Sequence, residues 1–159
     1  MSRKDCIKFG HAIGNIPTCG GHWEVWKQIS SQALLIAEEC QEMQDAMEAQ
    51  DITEMMDAVM DIKFLNTYLE YLLECYGCNV KGAWESVCAN NLGKTTPSYT
   101  YAQMSLDKLE EAGTECYIDC IVFEGETVYT VKRKSDSKVM KLMNHVRPDL
   151  EKFVPEELK

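Results

Sequence analysis

Between Gln28 and Val80 the chain has a single basic residue, Lys63. The same stretch is rich in acids, so no nearby protein cation is available to neutralise them. Apolar runs are also short. None approaches the about 18 residues that read as a bilayer-spanning helix, and the opening MSRKDCIKFG holds no apolar run of the kind a secretory signal needs. These absences predict no membrane segment and no secretory leader. There is no internal repeat and no low-complexity segment. The net charge of −10 argues against nucleic acid and anionic membrane as direct partners. An anionic small substrate is compatible with that charge only if metal ions stand between it and the acids.

What is present fits one main body with an appendage: 159 residues and 45% apolar composition supply a sizeable core. The 9 methionines suit an adaptable helical core. The 8 cysteines sit inside helical and strand patterns rather than in a loop-rich small domain. This predicts a reduced, cytoplasmic protein rather than a disulfide scaffold.

The densest chemistry lies between Leu35 and Asp61, LIAEECQEMQDAMEAQDITEMMDAVMD. Glu38, Glu39 and Glu42 form an E-E-x-x-E cluster, and Glu54, Asp57 and Asp61 follow at i, i+3 and i+7. On an α-helix these offsets return to one face. At an effective dielectric near 20, like charges roughly 5–6 Å apart repel by about 3 kcal/mol per pair. Water and mutual avoidance offset such repulsion on an open surface. Hard divalent cations do so better when two helices face each other.

In chain order, Ile7, Phe9 and Ile13 predict a short helix, followed by a breaker-rich loop from Gly14 to Gly21. His11, Cys19 and His22 match no standard zinc spacing and read as loop and core residues. From Trp23 to Ala49 the residues Val25, Ile29, Ala33, Ile36, Cys40, Met43 and Met47 form an amphipathic stripe. Asp51 then serves as N-cap of a second helix, Ile52–Tyr76, with Glu54 at its third position. That helix is apolar almost all round. A chain this short has too few other helices to surround it, which predicts a homodimer or a dimer of dimers. Gly77 ends the helix. A further helix covers Trp84–Asn91 with Gly93 at its C-cap. Residues 95–105 read as polar and turn-like, and 106–111 as a short helical stretch. Cys116–Phe123 and Thr127–Val131 flank Glu124-Gly125-Glu126 as a β-hairpin. The tail 139–159 is expected to lie across the main body. The fold class is therefore mainly α, a helical bundle completed by oligomerisation with a C-terminal β-hairpin appendage, divided as 1–98 and 99–159.

An acidic run on a helix is ordinarily a solvated face. Two features weigh against that here: the second set sits in an otherwise apolar helix, where unpaired carboxylates are costly to bury, and Lys63 is the only local base. Mg²⁺ takes oxygen ligands at about 2.0–2.1 Å and favours carboxylates plus substrate phosphates, and two facing helices with this spacing can build such a site. Elsewhere, Trp23, Trp26 and Tyr68 suit core packing better than base stacking. Cys75-x-x-Cys78 lacks the partner pair or βαβ setting of a zinc or redox motif.

The run from Ala37 to Asp61, with E-E-x-x-E followed by E-x-x-D at Glu54 and Asp57, resembles the all-α nucleoside triphosphate pyrophosphohydrolases of the MazG type. These are related to dimeric dUTPases and to phosphoribosyl-ATP pyrophosphohydrolase. Further stretches are similar to a phage-type branch: Phe9–Gly14, then Val87-Cys88-Ala89-Asn90-Asn91-Leu92-Gly93-Lys94 against V-H-x-x-N-M-x-K, then Asp136–Lys141 against D-G-K-V-x-K, and Arg147–Leu150 against P-P-D-L. The match covers roughly residues 5–94 and 135–154, and the hairpin at 114–133 looks like an insertion.

The resemblance implies a helical catalytic domain over 1–98, in a bacterial cell or phage-infected host. It implies hydrolysis between the α- and β-phosphates of a nucleoside triphosphate, giving a nucleoside monophosphate and pyrophosphate, with a lean to dUTP or dCTP. The implied cofactor is Mg²⁺, with Mn²⁺ as a substitute, held by Glu39, Glu42, Asp57 and either Glu54 or Asp61. Glu38 is the candidate to orient or deprotonate the attacking water, or to hold another metal, with Glu39 beside it. Asn91, Lys94, Lys138 and Lys141 are the candidates for substrate contact, against the plainer reading of a helix cap and surface lysines. The rivals are hydrolysis of an alarmone or damaged nucleotide, and a non-catalytic helical module that binds metal or a partner.

Overall fold

One helix ends at Gln50 and the next starts from Asp51. Gln50 has φ 57°, the left-handed conformation that terminates helices. The Asp51 carboxylate accepts from the N–H groups of Thr53 and Glu54 at 2.9 and 3.2 Å, satisfying two orphan donors of the next helix. The helices so joined are α2, His22–Ala49, and α3, Ile52–Cys75. With so short a link they fold back along each other as neighbours. In this computed structural model, which describes residues 2–159, the chain is mainly helical with a small antiparallel sheet. It forms two compact units, Met1–Val80 with Glu151–Lys159, and Lys81–Leu150. The change of unit thus falls at Val80, while the sequence pattern places its boundary at 98.

In the first unit, α1 (Arg3–Ala12) opens with a reciprocal cap between Ser2 and Asp5 and lies against α3. Phe9 meets Phe64 edge-on at 5.5 Å between ring centroids. Gly10 is buried, and a Cβ there would fall on the Tyr68 ring. The Tyr68 hydroxyl donates to the Asn15 carbonyl. Burial, with Tyr71 close by, pushes the Tyr68 phenol up to about 12. Buried Gln32 accepts from Asn15 and donates to the Leu65 carbonyl, and Tyr76 donates to Gln28. The breaker-rich loop is therefore tied to both long helices by hydrogen bonds. Tyr68 is core, as expected. Trp23 and Trp26 are not: they lie outward on the first turn of α2, 75% and 43% exposed. Residues 151–159 form two short 3₁₀ turns, held where Asn79 N–H donates to the Phe153 carbonyl at 2.9 Å.

The second unit holds α4 (Val80–Leu92, whose first residue belongs to the other unit) and α5 (Tyr99–Glu111), with strands β1 (Thr95–Thr96), β2 (Cys116–Phe123) and β3 (Glu126–Arg133). The strand order is β1-β3-β2, all antiparallel, so β2 is an edge. Glu124 and Gly125, both at positive φ, make the two-residue hairpin turn. Ala102, Cys116, Val131 and Leu142 form the core between α5 and the sheet. The turn expected over 95–105 is a strand and the start of a helix. The Ser98 hydroxyl caps α5 by accepting from Tyr101 N–H at 3.2 Å. The inward positions of α5 include Ala102 and Ser105, one small and one polar, so the helical period is faint in the sequence.

Gly10→Ala tests the closest helix contact. On an open helix alanine would stabilise by about 1 kcal/mol. Against the Tyr68 ring we expect a loss of about 1–3 kcal/mol, read as a lower urea midpoint. A midpoint at or above wild type would show that α1 does not depend on this contact.

Candidate metal centre

The acids are placed by the α2–α3 reversal. In two helices folded back from a short turn, residues equally far from the turn lie at the same height. Glu39 therefore stands level with Asp61, and Glu42 lies close to the level of Asp57. Glu54 is seven residues nearer the turn than Asp61, about 10 Å along the axis, level with Ala46 and Met47.

The electrostatics follow this geometry. The half-buried Glu39 carboxyl is pushed above its ordinary value, first by burial and then by the charges of Glu42, Asp61, Glu38 and Asp57. Acids from both helices thus act on one carboxyl group. Glu54 is not among them; it lines a hollow with Glu42 and Asp51. Between the two residues that the sequence leaves open, Asp61 is the one that acts on Glu39.

Among the described residues no three His, Cys, Asp or Glu side chains converge closely enough to hold a metal ion. The side chains concerned offer carboxylate oxygens only, and all but Glu39 are exposed. Lys63 makes no ion pair with any of the acids. The donors are of the oxygen type that hard divalent cations take, but they are not gathered around one point.

The four other site candidates belong to the second unit. Asn91 and Lys94 are brought together: Lys94 Nζ donates to Asn91 Oδ1 at 2.5 Å, and the Asn91 amide donates to the Val87 carbonyl at 3.0 Å. Lys138 follows a tight turn in which Asp136 accepts from Arg133 and from Lys138 N–H; the Arg133 pairing holds Asp136 down at about 2. The Lys138 and Lys141 side chains are exposed. His145 was not singled out by any sequence pattern. Its Nε2 is buried with no hydrogen-bond partner among the described residues. His11 and His22 are hydrogen-bonded to Tyr71 and Trp26, and the cysteines are free thiols. No helix among the described residues is long and apolar enough to cross a membrane.

Comparison with protein-family models, with curated proteins and with solved structures finds no match.

The Glu39 shift has a definite sign. The folded chain holds this proton to a higher pH than the unfolded chain, so metal-free stability falls as pH rises above the ordinary Glu value of about 4.3. Glu39→Gln should therefore melt above wild type in EDTA at pH 7.5, with the gap closing by pH 4. A difference in Tm that stays constant with pH would sink this account.

Proposed function

We propose that the chain is a Mg²⁺-dependent nucleoside triphosphate pyrophosphohydrolase of the all-α, MazG-like type, cleaving a (d)NTP between its α- and β-phosphates. The observation that carries the reading is that acids from both α2 and α3 act on Glu39, with none of them ion-paired to Lys63, the single base of that stretch. A second point of support lies at Ser137. It has φ 56°, the left-handed region that glycine favours, at the position where the D-G-K-V-x-K pattern has its glycine.

Glu39, Glu42, Asp57 and Asp61 would hold the metal, with Glu54 the alternative fourth ligand. When bound, the metal neutralises the triphosphate, polarises the attacked phosphorus and lowers the pKa of the attacking water. Glu38 is exposed on the same turn as Glu39 and would orient that water and take its proton. The water oxygen bonds to the α-phosphorus as the bond to the α,β-bridging oxygen breaks, and the products are a nucleoside monophosphate and pyrophosphate. Asn91, Lys94, Lys138 and Lys141 are the candidates for phosphate contact. The substrate we favour is a pyrimidine deoxynucleotide, dUTP or dCTP.

The same reading includes a homodimer or a dimer of dimers. Leu34, Ile52 and Met56 are 70%, 70% and 57% exposed along the long helices, an apolar surface that a second copy would cover. Met56→Glu should shift the protein to a monomer in light scattering. A wild type that is already monomeric would remove this part of the proposal.

Pyrophosphate release across NTPs and dNTPs with Mg²⁺ tests the activity. We expect turnover of at least one pyrimidine deoxynucleotide. Glu42→Gln and Asp57→Asn should each lower kcat by roughly 10²-fold or more, the scale of removing one electrostatic contact to the transition state. No turnover of any nucleotide by wild type would leave a non-catalytic module. Full activity in both variants would move the site elsewhere.

A further inference from the structure

A cavity of about 500 Å³ lies between α1 and α3 in the first unit. Its walls include Arg3 and Cys6 from α1 and Asp61, Lys63, Phe64 and Thr67 from α3. Three observations connect it to the acids. First, Asp61 is both part of its wall and one of the charges acting on Glu39. Second, its size falls within the range of small-molecule sites, about 300–1,000 Å³. Phe64, braced edge-on by Phe9, provides an aromatic wall. Third, it has positive charge in its wall. Two other hollows that touch the acids, one at Glu42 and Glu54 and one at Glu54 and Asp57, have no cation in theirs.

The two cations of the cavity are not equivalent. Arg3 is held by Glu74 at the far end of α3. Lys63 makes no ion pair among the described residues. Its ammonium is free to meet an anion beside Asp61, where a phosphate chain held through divalent cations would pass. Thr67 Oγ1 donates to the Lys63 carbonyl at 2.7 Å, so its lone pairs can accept from a hydroxyl or amide of a ligand.

We propose that this cavity seats the nucleoside of the substrate, with the base beside Phe64 and Lys63 contacting the phosphate chain as it passes Asp61 toward Glu39. The inference rests on the nucleotide hydrolase reading and adds where the base and sugar are held. The lone base of the acid-rich stretch becomes a positioning residue for the triphosphate.

Alkylation of Cys6 by iodoacetamide tests this in the wild-type chain, since Cys6 lines the cavity and is only 5% exposed. The probes are α,β-imido dUTP and dCTP with Mg²⁺, and their Kd values are measured separately by calorimetry. At ligand tenfold above Kd, Cys6 labelling should slow by about tenfold, while the exposed Cys75 and Cys120 label at unchanged rates. Mg²⁺-pyrophosphate, which has no nucleoside, should leave the Cys6 rate unchanged. Thr67→Phe, which fills the cavity, should weaken nucleotide binding about tenfold or more without changing inhibition by pyrophosphate. Lys63→Gln should weaken binding of the triphosphate analogue about tenfold with the fold intact by circular dichroism. If the analogues bind but Cys6 is not protected, or is protected equally by pyrophosphate, the cavity is not the nucleoside seat and the hydrolase reading stands. If no nucleotide binds and none is turned over, the hydrolase reading fails and this inference with it. Should Thr67→Phe fail to fold, the Cys6 measurement decides alone.

Discussion

The reversal between α2 and α3 is the constraint on which the first unit depends. α2 and α3 are joined by Gln50 and Asp51 alone, one in a left-handed conformation and the other capping two backbone donors. Once that turn is made, the height of every acid along the pair is set. Glu39 is half buried, and burial together with the charges of the exposed Glu42, Asp61, Glu38 and Asp57 pushes its carboxyl above the ordinary value. That coupling is a property of the helix pairing rather than of any one side chain.

The opposite half of the same helices is held by neutral groups. Tyr68, Tyr76, Gln28 and Gln32 tie the loop after α1 to the long helices, and Gly10 lets α1 come down onto the Tyr68 ring. These contacts keep α1 across α3 and shape the cavity lined by Cys6, Phe64 and Thr67. A charged half and a hydrogen-bonded half thus share one scaffold, with Asp61 and Lys63 at the border between them.

Much of this was legible in the sequence where side chains signal strongly. The limits of α2 and α3 follow from the apolar stripe, from Asp51 as cap and from Gly77, which takes φ 89°. The hairpin follows from alternation around Glu124-Gly125. The start of α5 was hidden because its inward face uses Ala102 and Ser105. β1, at Thr95–Thr96, pairs with Thr130 and Tyr129 far along the chain, and local pattern holds no trace of such a contact. The spacing of the acids is legible in the sequence, but which of Glu54 and Asp61 acts on Glu39 is not. Both continue the α3 spacing, and only the height at which α3 passes Glu39 separates them. Trp23 and Trp26 looked like core because tryptophan usually is. Whether a helix face is covered depends on neighbours that lie outside the window being read.

The edge strand β2 has a consequence of its own. An uncovered strand exposes a ladder of donors and acceptors that can template another chain, and Ile121, Val122 and Phe123 at its tip are exposed. Asp119 lies midway along it, paired across the hairpin with Lys132. A strand docking on this edge would have to accommodate that ion pair at its middle, and charge on an edge strand is one way such edges are blunted. The ion pair adds little to the stability of the hairpin. What it changes is how readily the edge of β2 accepts another strand, a charge effect that salt would screen.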